Sequence, residues 1–241
     1  MPVDPTTPQS VSDRLAQVSE RLAQALTEAG RDPAAARLLA VSKTQPADRL
    51  RALYQAGQRA FGENYLQEAL GKQAMLADLD IEWHFIGPIQ SNKTRDIAEH
   101  FDWVHSVDRE KIAQRLNDQR PSDLPLLDVC LQVNVSQEQS KSGVAPEALF
   151  SLAQRVAAMP RLRLRGLMAI PEPCNDPVLQ RAPFARLREL FESLRAELPQ
   201  APLDTLSMGM SADLEAAVTE GATMVRIGTA IFGPREYPNG P

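Results

Sequence analysis

From Arg37 onward one pattern repeats along the chain: a short apolar run closes on a polar residue or a glycine, then an amphipathic helical segment follows. RLLAVSK (37–43) comes first, before a helix that Pro46 opens and Gly57 ends. RAFGEN (59–64), EWHFIG (82–87), DWVHSV (102–107), LLDVCLQVNV (126–135), LRLRGLMAI (162–170), LDTLSMGM (203–210) and TMVRIGTAIFG (223–233) repeat it. Near-continuous apolar runs are what strands show when both sheet faces are covered. Strands alternating with helices need crossover connections, and so build a parallel sheet. Eight units predict an α/β fold, a single (β/α)8 TIM barrel, whose usual length of about 250 residues is close to the 241 here. An extra N-terminal helix precedes it, with Val11, Leu15, Val18, Leu22 and Leu26 at helical spacing after Ser10 and Gly30 as the stop. A doubly wound open sheet is the alternative, but no G-x-G-x-x-G follows the first strand. The expected division is a flexible Pro/Thr-rich segment at 1–9, the barrel at 10–235 and a tail at 236–241.

With 43% hydrophobic and 24% charged residues, the chain has enough apolar surface for a packed core. Its 31 acidic and 26 basic side chains leave a net charge of −5 with no basic block, which argues against nucleic acid or an anionic membrane as partner. No run approaches the roughly 20 apolar residues of a membrane span. MPVDPTTPQSVSDRL lacks a basic segment followed by an apolar one, so a cytoplasmic location is expected. Cys130 lies in an apolar run and is expected in the core; Cys174, after a Pro-Glu-Pro turn, is expected as a free surface thiol. Their spacing suggests neither zinc nor a disulfide framework. Asp108 is the expected N-cap of the helix after DWVHSV.

In such barrels the active site lies at the C-terminal ends of the strands. Those ends present Ser42, Lys43, Glu63, Asn64, His84, His105, Asn134, Met168, Met208, Ser211, Arg226, Gly228 and Thr229. Lys43 closes an apolar strand, where a partly desolvated mouth lowers an amine's pKa and favours Schiff-base chemistry. The plainer reading is a lysine reaching solvent at the rim. SMGMS (207–211) and RIGTA (226–230) follow strands seven and eight, the usual phosphate site of this fold. Ser211 and Asp213 mark a helix start there, Gly209 and Gly228 allow close backbone approach, and Ser211 and Thr229 supply hydroxyls; ordinary helix capping by each hydroxyl is the alternative. A phosphate cradle facing a strand-end lysine is the layout a pyridoxal phosphate site requires. Arg226, buried on a strand, then needs an acceptor, or an ion pair with a strand-end acid.

AVSKTQP, FGENYLQE, WHFIGPIQSNK, VNVSQEQSKSG, GLMAI, LSMGMSADLEAAV and VRIGTAIFG together resemble the pyridoxal phosphate homeostasis protein family, in order, from about residue 10 to 235. The resemblance implies a fold type III barrel like the N-terminal domain of alanine racemase, with pyridoxal 5′-phosphate held as a Schiff base on Lys43. It implies phosphate contacts from Ser211, Gly228 and Thr229, with Arg226 facing the pyridine nitrogen. Asn64 is placed to bond the ring hydroxyl. The implied role is a carrier or regulator of vitamin B6 and amino-acid pools, without established catalytic turnover and with pyridoxal-phosphate-dependent apo-enzymes as partners. Lys141, in SKSG, matches a family lysine; a second aldehyde-capture site and a solvated loop lysine both stay open.

An electron-sink cofactor works best with a protonated ring nitrogen, which a facing arginine disfavours, although alanine racemase uses the same pairing. Racemisation also needs a second base, a tyrosine from a second domain in the racemases. Only residues 234–241 follow Gly233, and Tyr54, Tyr65 and Tyr237 hold no strand-end position, so a non-catalytic monomer is expected. His84 and His105 are expected as hydrogen-bonded core histidines, and Glu63 beside Asn64 as part of the pocket lining. A low-activity amino-acid racemase or decarboxylase, and a Schiff-base phosphosugar enzyme, are the competing functions.

Overall fold

The computed structural model describes residues 10–136, 142–174 and 176–234. Lys141 and Tyr237, the segment expected to be flexible at 1–9 and the tail at 236–241 lie outside the described residues. Ser10 caps the first helix, α1 (Val11–Glu28): its hydroxyl accepts from Asp13 N while the Asp13 carboxylate accepts from Ser10 N. The helix buries Leu15, Val18, Leu22 and Leu26.

Eight strands follow: β1 (Arg37–Val41), β2 (Ala60–Glu63), β3 (Glu82–Phe85), β4 (Trp103–Val107), β5 (Leu127–Gln132), β6 (Leu162–Met168), β7 (Thr205–Ser207) and β8 (Met224–Ile227). They pair in sequence order and close into a barrel, with β1 parallel to both β2 and β8. Helices α2 (Ala47–Gln55), α3 (Leu66–Met75), α4 (Thr94–His100), α5 (Glu110–Gln119), α6 (Pro146–Ala157), α7 (Pro177–Glu197) and α8 (Leu214–Thr219) cover the outside, and α9 (Thr229–Phe232) follows β8. β5 is buried along its whole length, as a strand between barrel interior and helical shell must be. Gly166 on β6 leaves no room for a side chain, since a Cβ there would fall 1.7 Å from Thr205 O.

The apolar runs overstate the strands. RLLAVSK leaves the sheet after Val41, because Thr44 turns the chain into the left-handed region at φ 64°. Within TMVRIGTAIFG only Met224–Ile227 is strand, and Thr229–Phe232 is helical. Asp108 is not a cap: Arg109 takes that place without a side-chain cap bond, and Asp108 pairs with Arg109 at 2.6 Å. Cys130 is in the core, where burial raises its thiol pKa, and Cys174 is a half-buried free thiol. No helix among the described residues is long and apolar enough to cross a membrane, and they contain no cluster of potential metal ligands.

Candidate functional site at the barrel mouth

The C-terminal ends of β1, β2 and β8 and the loop after β7 enclose a cavity of about 270 Å³. Lys43, Asn64, Ser211, Arg226, Gly228 and Thr229 all line it, so the fold brings together the six residues that sequence reading assigns to one ligand. Ile86, Ile170, Met210 and Phe232 supply an apolar lining.

Lys43 reaches the cavity from a braced turn. Ser42 N–H donates to Gly62 O at 2.9 Å, extending the β1–β2 ladder by one bond. The Ser42 hydroxyl donates to Glu63 Oε1 at 2.6 Å. From α3, Lys72 Nζ donates to Ser42 O and Glu63 Oε1, both at 2.7 Å, and to Glu68 Oε1 at 2.5 Å. Glu68 Oε1 also accepts from Thr44 N at 2.5 Å, across the left-handed turn. A β-branched residue at positive φ is strained, and persists only where its surroundings over-determine it. Here the Lys72–Glu68 pair does so. Glu63 therefore does not line the cavity: it is fully buried beneath Ser42, and burial raises its pKa against the pull of Lys72.

The two loops expected to cradle phosphate are tied to each other. Gly209 adopts φ +92°, and a Cβ there would meet Ala217 Cβ at 2.6 Å, so only glycine fits. Gly209 O accepts from Arg226 N at 2.9 Å, and Ser211 Oγ accepts from Ala230 N at 3.4 Å. Arg21 of α1 holds Ser211 O at 2.9 Å and Glu215 at 2.6 Å, which explains the extra helix as a brace on this loop. Ser211 does not start α8. Asp213 stands at its N-cap without a side-chain cap bond, and braces the loop by accepting from Met210 N at 2.5 Å. At Gly228 a Cβ would lie 3.2 Å from Val41 O, so a side chain there would crowd β1.

Arg226 is 4% exposed. Its Nη1 donates to Ser207 O at 2.5 Å and Oγ at 2.9 Å, and its Nη2 donates to Ala169 O at 2.8 Å. These acceptors are uncharged; the alternative, an ion pair with a strand-end acid, is not made among the described residues. Burial lowers its pKa to about 10. No Asp or Glu stands among the described lining residues, so two basic side chains face a cavity without a carboxylate. Asn64 Oδ1 is buried with no hydrogen-bond partner among the described residues.

Other strand-end candidates lie elsewhere. Met168 packs with Trp103 and Cys130 in the core, Met208 is fully buried, and Asn134 is outside the cavity lining. His84 and His105 are fully buried and bonded to each other at 2.9 Å, as core histidines. Met210, Glu68 and Lys72 escaped sequence reading. The four-residue spacing of Glu68 and Lys72 marks a helix-face ion pair, but nothing in it says that the pair folds inward onto Ser42.

Residues 14–236 match the family described as alanine racemase, N-terminal domain. The chain is 65% identical over 228 residues to a pyridoxal phosphate homeostasis protein of Pseudomonas aeruginosa, covering 95% of this chain and 97% of that one. It is 53% identical over 230 residues to the protein of that name from Escherichia coli, covering 94% and 97%. Among solved structures it resembles PipY of Synechococcus elongatus with PLP bound, at TM-score 0.83 and 40% identity over 93% of this chain and 100% of that one. An alanine racemase from Corynebacterium glutamicum shares the fold at TM-score 0.65 and 18% identity, with 92% of this chain and 60% of that chain covered. By sequence and by fold alike, the chain belongs to the pyridoxal phosphate homeostasis protein family, built on the alanine racemase N-terminal barrel.

Proposed function

We propose that the chain binds pyridoxal 5′-phosphate in the mouth cavity, captured through Lys43, and serves vitamin B6 and amino-acid homeostasis as a carrier rather than an enzyme. The observation that carries this is the meeting of a strand-end lysine and a buried arginine in one cavity, with no carboxylate among its described lining residues. That lining suits a dianionic phosphate and an aldehyde. When bound, the cofactor supplies a carbonyl carbon that condenses reversibly with an amine. Ser211, Gly228 and Thr229 hold the phosphate, and Arg226 faces the ring nitrogen. Asn64, whose buried Oδ1 meets no donor among the described residues, accepts from the ring hydroxyl. The names of the relatives and the bound ligand of PipY support this assignment.

Two features support a carrier over a racemase or decarboxylase. With a guanidinium and no acid at the ring nitrogen, that nitrogen stays unprotonated and the electron sink is weak. Apart from Lys43, no described lining residue offers a base near neutral pH: the rest are amides, hydroxyls, apolar groups, glycines and Arg226. The reading extends to pyridoxal-phosphate-dependent apo-enzymes as recipients, and to a monomer in the cytoplasm. Free thiols at Cys130 and Cys174 suit a reducing compartment. The large exposed apolar side chains come singly from different elements, such as Met75 of α3 and Phe150 of α6, which suits a monomer.

Borohydride reduction of cofactor-saturated protein, followed by peptide mass mapping, is expected to place a pyridoxyl group on Lys43; unmodified Lys43 refutes the assignment. Lys43→Ala is expected to lose the visible absorbance band yet retain the cofactor through the phosphate loops. In deuterated water, no common amino acid is expected to exchange its α-proton in the presence of loaded protein; exchange would refute the carrier reading.

A further inference from the structure

A line of hydrogen bonds crosses the barrel interior from Arg226 to Glu82, and its direction follows by elimination. A guanidinium only donates, so Arg226 Nη1 gives a proton to Ser207 Oγ at 2.9 Å. The one hydroxyl hydrogen of Ser207 is then left for His105 Nδ1, 2.7 Å away. A neutral imidazole accepts at one nitrogen and donates from the other. His105 thus carries its proton on Nε2 and donates to His84 Nδ1 at 2.9 Å. By the same logic His84 donates from Nε2 to Glu82 Oε1 at 2.6 Å. Glu82 completes the line, held by Arg37 at 2.6 Å.

Both imidazoles are fully buried, and His84 stacks on Trp103 with centroids 5.4 Å apart and planes at 13°. Arg37, Glu82 and Asp128 face His84; Arg37, Arg226 and His84 face His105; Asp213 and Cys130 face Arg226. Burial lowers both imidazole pKa values, that of His105 furthest. An added proton on either ring would aim His105 Nδ1–H at Ser207 and strand the hydroxyl's own hydrogen, while His84 Nε2–H stayed on Glu82. Neutral rings with every donor aimed toward Glu82 satisfy each atom of the line.

We propose that His84 and His105 are positioning residues: with Glu82 they keep an acceptor lone pair of Ser207 on Arg226, fixing its guanidinium against the ring nitrogen of the bound cofactor. The part concerning the ring nitrogen rests on the pyridoxal phosphate reading above. The physical gain is that a buried cation is answered by a carboxylate at the far end of a polarised line. A carboxylate inside the cavity would attract a proton to the ring instead.

Long-range proton–nitrogen NMR of the apo-protein, labelled at histidine, tests the line without the cofactor. Both rings are expected neutral with the proton on Nε2 from about pH 5.5 to 8.5. A proton on His105 Nδ1, or an ordinary imidazole titration, overturns the proposal. In the loaded protein, His105→Phe and Ser207→Ala are each expected to shift the pH midpoint of the visible band by about one unit, because a displaced guanidinium no longer opposes ring protonation. His105→Asn, which retains an acceptor toward Ser207, is expected to stay closer to the parent, and the double variant to move no further than either single one. Unchanged midpoints in both single variants overturn the proposal. Failure of the parent protein to take up the cofactor would refute the functional reading and leave the apo-protein result standing.

Discussion

The floor and the mouth of the barrel both carry buried and half-buried charge, but handle it differently. At the floor Arg163 and Arg165 share Asp128, Arg165 also holds Asp204 at 2.5 Å, and Arg37 holds Glu82 at 2.6 Å. The guanidiniums of Arg37 and Arg165 lie 5.0 and 4.8 Å from the Trp103 ring. Each of those cations meets a carboxylate of the protein. At the mouth the described cavity lining holds Lys43 and Arg226 and no carboxylate. Charge paired within the floor network serves the fold, whereas a cavity whose described lining holds basic groups and no acid suits an anion.

Removing a support of the mouth is expected to cost most. Lys72→Met leaves Glu63 buried without its cation, a loss of about 3–5 kcal/mol by the usual cost of breaking a buried pair. Denaturant unfolding measures it, and a loss below about 1 kcal/mol would mean that the pair behaves like a surface one. Giving the mouth the floor's chemistry comes next. Thr229→Asp puts a carboxylate into the cavity lining and is expected to weaken pyridoxal 5′-phosphate binding about a hundredfold, read by fluorescence titration; unchanged affinity would place the phosphate elsewhere.

Acid separates the two ends further. The folded pKa of His105 lies well below 6.5, chiefly through burial, so in acid the unfolded chain binds a proton that the folded chain refuses. Stability is intact above the ordinary value of 6.5 and falls as pH drops from there toward the folded pKa, by about 1.4 kcal/mol per pH unit from His105 alone. Glu82 is held at about 2, its burial outweighed by His84 and Arg37, so its contribution is lost only at lower pH, below its ordinary 4.5. Unfolding at a series of pH values reads both windows. The smallest effect belongs to the floor: Arg163→Gln is expected to cost at most about 1 kcal/mol, because the Arg163 side chain is 44% exposed and Arg165 still answers Asp128. A larger loss would mean that the floor network acts as one unit.

Much of the site was legible because it hangs on strand ends. Lys43, Asn64, Arg226 and Gly228 follow apolar runs, and a residue at the C-terminal end of a barrel strand faces the mouth whatever its helices do. Ser211 and Thr229 were legible through the glycines beside them. Glu63 was misplaced because successive residues on a strand face opposite ways. Asn64 lines the cavity while Glu63 turns to Lys72.

What the sequence determined by itself is the barrel, the position of its mouth and the six residues that meet there. Periodicity is local, and eight strand–helix units close in only a few ways. Only the tertiary structure decided which charges find partners. Lys72 folding under Ser42, Arg21 bracing the loop after β7, and the line from Arg226 through two histidines to Glu82 each join residues far apart in the chain. Burial makes those contacts obligatory, because a polar group shut away from water must bond to whatever the fold brings beside it.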